Sequence, residues 1–361
     1  MSFTLLNFLF KIGRIFGATP ASTRLEEEGD RRKLYVLLIL LLLTLSLAAS
    51  LTDETDVNIL VVCRLLLNLL LYAVHFQFAI VLNFWKRRSW NDLLKFLKLG
   101  GCLTTTNRLP HYFGFVSFLL LHMFLTGCIY FFNNEQRDFD VHTRIPTIIL
   151  QTMHFFYCFL LYVITNMILS RYKFLTTLLK SFFKHRPPSC GNLPFKFFHK
   201  IEYSLRLLQK TVEVYNDMFG PVLFCSISYT IVTVYRLICS FYYSSKPMPT
   251  THIVIQIVSV FGSVFLIPVI LILLCDSATR EAENVVSLCY DLKWHFGTLH
   301  RWDERKFYKF TNAVASKVPK FTAMNFFHVT KVTMLDMGWI IANFFVVTIQ
   351  LVSGSSWHQE S

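Results

Sequence analysis

The apolar positions of this chain are gathered into seven long blocks, separated by charged and polar connections. The blocks run approximately from 34 to 51, 57 to 84, 112 to 132, 146 to 170, 219 to 243, 253 to 275 and 334 to 353. Crossing a hydrocarbon layer of roughly 30 Å takes about 20 mostly apolar residues in a helix, because backbone groups must satisfy one another where there is no water. The pattern predicts an all-α, polytopic membrane protein with seven transmembrane helices.

The connections fall into two kinds. Those after the first, third and fifth spans are short and lean acidic: TDETD at 52 to 56, NNEQRDFDVHTR from 133 and SSKPMPTTH from 244. The others are long and basic. Lys and Arg in short loops are retained on the cytoplasmic side. The segment before the first span and the loops 85 to 111, 171 to 218 and 276 to 333 hold 30 of the 35 Lys and Arg, against Arg137, Arg144 and Lys246 on the opposite side. This bias places the N-terminus in the cytoplasm and, after seven crossings, the tail Gly354 to Ser361 outside the cell. The inner loops also keep helical periodicity, as in IEYSLRLLQKTVEVYNDMF, and RPPSCGNLP at 186 to 194 is the clearest breaker cluster. The membrane helices are therefore expected to extend well into the cytoplasm, with residues 1 to 361 forming one domain.

The first eighteen residues, MSFTLLNFLFKIGRIFGA, are apolar and end in small residues, yet Lys11 and Arg14 interrupt and follow the apolar run instead of preceding it. Leu5, Phe8, Leu9, Ile12 and Phe16 recur at helical spacing. This is the pattern of an amphipathic helix on the inner membrane surface rather than of a cleaved signal.

Composition narrows the function. Of 361 residues 54% are apolar and 16% aromatic, including 37 Phe, and only 16% are charged, against about 25% in soluble domains. A disordered chain, a nucleic-acid module built on basic loops and most cytosolic enzymes are excluded. The formal charge of +13 is topological before it is a partner signal, so no nucleic-acid partner is expected. The nine Cys all lie in expected helices or inner loops, which predicts free thiols. GxSxG, HExxH, GxxxxGK[ST] and GxGxxG are absent, and no Cys/His grouping has metal-ligand spacing. The only carboxylate well inside a span is Asp336. No enzymatic activity, metal or cofactor is expected.

Polar groups inside the spans carry more information, because each is costly in lipid and faces the bundle interior or a wet cavity. In the outer halves of spans two to six they are Arg64 and Asn68; His122 and Thr126; Gln151, His154 and Tyr157; Tyr229, Tyr235 and Arg236; and Gln256. At similar depths and mixed with Phe and Tyr, they have the makeup of a small-molecule pocket. The other reading is interhelical hydrogen bonding that stabilises the bundle. In the seventh span, Asn343, Val347, Gln350 and Gly354 share one stripe, at spacings of four, three and four. Such a stripe lines a pore or contacts a neighbouring helix, because lipid would leave the amides unpaired.

The same span carries a resemblance. Asn343 and Phe344, five residues from Phe345 to Ile349, then Gln350 and Leu351 resemble the motif that ends the seventh helix of the insect gustatory receptor family, within the insect odorant and gustatory receptor superfamily. There the motif reads Thr-Tyr, five apolar residues, Gln-Phe; here the spacing and Gln are kept while Thr, Tyr and Phe are replaced. FTAMNFF at 321 to 327 and the whole architecture also resemble that family. The resemblance implies a gustatory receptor acting as a ligand-gated, nonselective cation channel in the plasma membrane of sensory neurons. It implies four seventh helices around a central pore, in a homotetramer or with related receptors, an anchoring core at the inner ends of spans four to seven, and a small-molecule tastant in the outer pocket of each subunit. In that arrangement Val347 and Gln350 face the axis at the gate and Asn343 lies two turns deeper. The alternatives are a seven-helix G-protein-coupled receptor and a transporter. The first meets an inner N-terminus and no NPxxY, with Ser170-Arg171-Tyr172 after span four instead of three, and the second has no internal repeat to support it.

Overall fold

The computed structural model describes residues 59–99, 141–185, 195–242, 250–295, 308–312, 314–316 and 318–357, with single helical positions at 6, 8, 9, 11–13, 41, 44 and 124. Helix α1, Ile59–Phe76, runs on through a π-helical segment, Gln77–Trp85, bends at Lys86 and continues as α2, Arg87–Leu99. Helices α3, Val141–His185, and α4, Phe195–Tyr242, are 45 and 48 residues long. At 1.5 Å per residue each reaches about 70 Å, more than twice the hydrocarbon thickness, so both extend far past the spans at 146 to 170 and 219 to 243. The breaker at 186 to 194 falls between them. Helix α5, Thr250–Val260, passes through a π turn, Phe261–Phe265, into α6, Leu266–His295. A two-stranded antiparallel hairpin, β1 Thr322–Ala323 and β2 Phe327–His328, leads into α7, Val332–Trp357.

Among the described residues, four stretches are long and apolar enough to cross a membrane: 59–82, 148–182, 197–242 and 332–350. They carry the expected spans two, four, five and seven, and the sixth is helical throughout α5 and α6. The expected first and third spans lie outside the described residues, apart from Leu41, Thr44 and Phe124, which are helical. The protein is an all-α multi-pass membrane protein.

Helix α3 packs chiefly on α6, and α4 packs on α1, α2 and α7. Large side chains fill the joint. Phe78 stacks on Tyr157 at 3.9 Å between ring centroids, Trp90 meets Phe219 edge-on at 5.9 Å, and Tyr215 bridges Phe219 at 5.2 Å and Phe321 of the hairpin at 5.4 Å. Such pairs add about 0.5 to 1.5 kcal/mol each beyond the area they bury.

The N-terminal segment differs from its expected place. Leu6 and Leu9 are fully buried in the main core with Leu93, Leu97 and Tyr172, and Ile12 packs against them. Of the expected apolar face, Leu9 is buried and Ile12 half-buried but Phe8 is exposed, and Leu6, about a quarter turn off that face, is buried as well, so packing against protein selects a neighbouring face of the segment. Lys11 stays exposed. Arg171, beside the expected membrane edge, donates from Nη1 to the Phe96 carbonyl at 2.9 Å. That carbonyl lies in the last turn of α2, where no intrahelical donor is available, so Arg171 closes the end of α2.

Candidate functional site

The expected pocket residues separate into three groups. In the first, Gln151 Nε2 of α3 donates to the Tyr229 hydroxyl of α4 at 3.3 Å, and the rings of His154 and Tyr229 lie 5.0 Å apart. His154 Nε2 is 3.0 Å from Ser226 Oγ, and Cys158 Sγ is 3.5 Å from both. Leu67, Leu71, Leu150 and Val264 pack around Tyr229. Two helices, α3 and α4, thus bring hydrogen-bonding groups together inside an apolar wall to which α1 contributes Leu67 and Leu71. Neutral donors and acceptors dominate, an arrangement suited to a small ligand with one or two polar groups on an apolar body.

The second group lies elsewhere. The Tyr157 hydroxyl is 2.8 Å from His75 Nδ1, both residues are buried, and the ring is fixed by its stack on Phe78. Tyr157 belongs to the aromatic core, and its partner His75, a histidine in the middle of the second span, was not among the expected site residues. The third group is Tyr235, whose hydroxyl hydrogen-bonds Thr348 Oγ1 of α7 and whose ring lies 5.9 Å from Phe344. Cys63 and Cys239 pack beside it. Asn68 is buried on α1, while Arg64, Arg236 and Gln256 are half-buried. His122 lies outside the described residues.

Ser226, Cys158 and Thr348 also escaped the sequence. Each was available as a polar atom inside an apolar helix, but Ser, Cys and Thr satisfy themselves against the preceding turn so often that they mark no site alone. Thr348 does this too, donating to the Phe344 carbonyl at 2.8 Å. The six described cysteines, 63, 158, 225, 239, 275 and 289, are free. Burial pushes the Cys289 thiol, beyond the apolar part of α6, up to about 12, which keeps it protonated and unreactive. Among the described residues no group of three His, Cys, Asp or Glu is arranged to hold a metal.

Helix α7 has two faces. Thr333, Met337 and Thr348 are buried, whereas Asn343, Val347 and Gln350 are exposed. At 100° per residue Thr348 lies well over a quarter turn from the axis of that stripe, so docking on Tyr235 turns the stripe away from α4. Phe344, Val346 and Trp339 are exposed as well.

Long apolar helices, a polar cluster buried among three of them and a seventh helix with an exposed polar stripe define a multi-pass membrane protein. The chain belongs to the 7tm chemosensory receptor family, whose model matches residues 6–353. Receptors, not enzymes, make up this family. The fold is shared with the insect olfactory receptor OR5 from Machilis hrabei. The TM-score is 0.59 against one structure of that receptor and 0.68 against its complex with eugenol, in both at 14% identity over 96% of this chain and 98% of that one. No curated protein is a significant sequence match.

Proposed function

We propose that this receptor is a ligand-gated, nonselective cation channel of the gustatory type, acting in the plasma membrane of sensory neurons. Its 361 residues form a single domain, and four copies, or copies with related receptors, surround a pore lined by α7. The observation that carries this reading is the outward polar stripe. Only 17% of the apolar window of α7 is buried within one chain, and transfer of an unpaired amide into hydrocarbon costs about 4 to 8 kcal/mol. Asn343 and Gln350 are therefore poorly suited to lipid, and a water-filled axis shared by several α7 helices satisfies them. A ring of Val347 closes such an axis by excluding water, and a ring of Gln350 amides replaces part of an ion's hydration without a fixed charge, which suits weak discrimination among cations.

The ligand is a small tastant held in the outer half of the bundle, with Gln151, His154 and Tyr229 as its polar contacts and Arg64, Asn68, His122, Arg236 and Gln256 around them. Tyr157 and Tyr235 act from behind, the first through the core and the second through α7. Eugenol, the ligand in the Machilis hrabei complex, has the same build of one polar edge on an aromatic body. Neither the family nor the fold supports the G-protein-coupled alternative.

The test is electrical. Expressed in cells without other chemoreceptors and challenged with a chemically broad panel, the receptor should give ligand-evoked cation current that persists when G-protein signalling is blocked. Absence of current at normal surface expression contradicts the proposal.

A further inference from the structure

Helix α4 is interrupted in its hydrogen bonding at Pro221. Proline has no N–H, so the carbonyl four residues earlier, that of Asp217, loses its intrahelical donor. Lys86 Nζ takes that carbonyl at 2.6 Å and the Asp217 carboxylate at 2.5 Å. One residue on, the Met218 carbonyl accepts from Gln77 Nε2 at 3.1 Å. Gln77 begins the π-helical segment of α1, and Lys86 is the bend that closes it, donating its backbone N–H to the Val81 carbonyl at 2.7 Å. Helices wound in this way concentrate at functional positions.

The same stretch of α4 carries the hairpin. Asn216 Nδ2 donates to the Lys320 carbonyl at 2.7 Å, and its Oδ1 accepts from the Thr322 N–H at 3.1 Å. Gly220 permits the approach, because a Cβ there would sit 2.9 Å from the Met324 nitrogen. The hairpin is a defined object: Met324 and Asn325 have φ of 52° and 60°, and the Phe326 N–H closes the turn on the Ala323 carbonyl at 3.0 Å. Three residues separate β2 from α7, and the last of them, Lys331, donates its N–H to Asp276 Oδ1 of α6 at 3.2 Å.

We infer that Asn216–Pro221 is the joint through which α1 positions α7. Lys86 and Gln77 hold one side of this turn, Asn216 and Gly220 hold the hairpin on the other, and the hairpin fixes where α7 begins. A displacement of α1 by a ligand in the bundle then reaches α7 by way of α4 and the hairpin. The inference rests on the reading of α7 as the gate for its consequence, but the linkage itself is mechanical and is measured without current. Lys86 and Asp217 are 28% and 57% exposed, and pairs so exposed add little to fold stability, so their removal separates linkage from folding.

The test is hydrogen–deuterium exchange on the purified full-length receptor in lipid nanodiscs. Lys86→Met and Gly220→Ala should each raise deuterium uptake across 321–340 about three-fold or more, while Lys86→Arg restores the wild-type rate. Arg206→Ala, which removes an exposed ion pair with Glu202 on the same helix, should leave it unchanged. If Gly220→Ala fails to fold, Lys86→Met and Gln77→Leu carry the test. Faster uptake confined to 77–86 and 216–221, with 321–340 at the wild-type rate, overturns the joint. Uptake that responds as expected in a receptor passing no current keeps the joint and removes the channel reading.

Discussion

Helices α3 and α7 are equally apolar over their best membrane-spanning windows, yet 67% of the α3 window is buried within the chain and only 17% of the α7 window. The polar residues follow the same division. On α3, His154 and Tyr157 find Ser226 and His75 within hydrogen-bonding distance. On α7, Thr348 finds Tyr235, while Asn343 and Gln350 point away from the bundle. Apolar composition therefore places a helix in the membrane without deciding its neighbours. What identifies the neighbour is the position of the few polar atoms relative to the packed face.

This contrast is broken most severely at Tyr157. Its ring is fully buried and stacked on Phe78, so Tyr157→Ala should cost about 3 to 5 kcal/mol, the range for removing a core aromatic. The loss should appear as a lowered thermal midpoint of the purified receptor and reduced surface expression. On α7 the opposite outcome is expected: Val347→Ser changes no contact within the subunit core and should shift stability by less than about 0.5 kcal/mol. It should instead raise the ligand-free current, recorded in whole cells at matched surface density.

Smaller effects sharpen the comparison inside the bundle. Ser226→Ala removes the hydroxyl 3.0 Å from His154 Nε2, and a buried hydrogen bond is worth about 0.5 to 1.5 kcal/mol. The concentration of an active panel compound giving half the maximal response should move roughly two- to twelve-fold, with expression preserved. An equal change in surface expression and no shift in response would assign His154 and Ser226 to bundle packing. The smallest effect is expected at Arg171. Arg171→Met leaves the Phe96 carbonyl without its donor and should lower the thermal midpoint by an amount equivalent to about 1 kcal/mol, with the response to the same compound unchanged.

Much of this division was legible in the sequence. The apolar blocks place α1, α3, α4 and α7, the proline-rich break at 186 to 194 separates the two longest helices, and the spacing of Asn343, Val347 and Gln350 defines a stripe before any packing is known. What was not legible is partnership. Gln151, His154 and Tyr157 share a helix within seven residues, but successive residues turn by 100°. Tyr157 consequently meets His75 and Phe78 while Gln151 and His154 meet α4. Leu6 and Leu9 present an apolar face that fits lipid or protein equally well on periodicity alone. The seat of the hairpin and the partner of the Asp217 carbonyl released by Pro221 depend on contacts more than a hundred residues apart in sequence, beyond any local pattern.

The orientation of the α7 stripe is tested most directly by cysteine accessibility in the conducting receptor. Asn343→Cys, Val347→Cys, Gln350→Cys and Thr348→Cys are made singly in a background free of other cysteines, and a small cationic thiol reagent is applied while current is recorded. Cysteines at 343, 347 and 350 should react and reduce the current, that at 343 only while the channel is open, and the cysteine at 348 should remain unmodified against α4. Modification at 348 with 343, 347 and 350 protected in open and closed states would contradict the pore-lining role of α7.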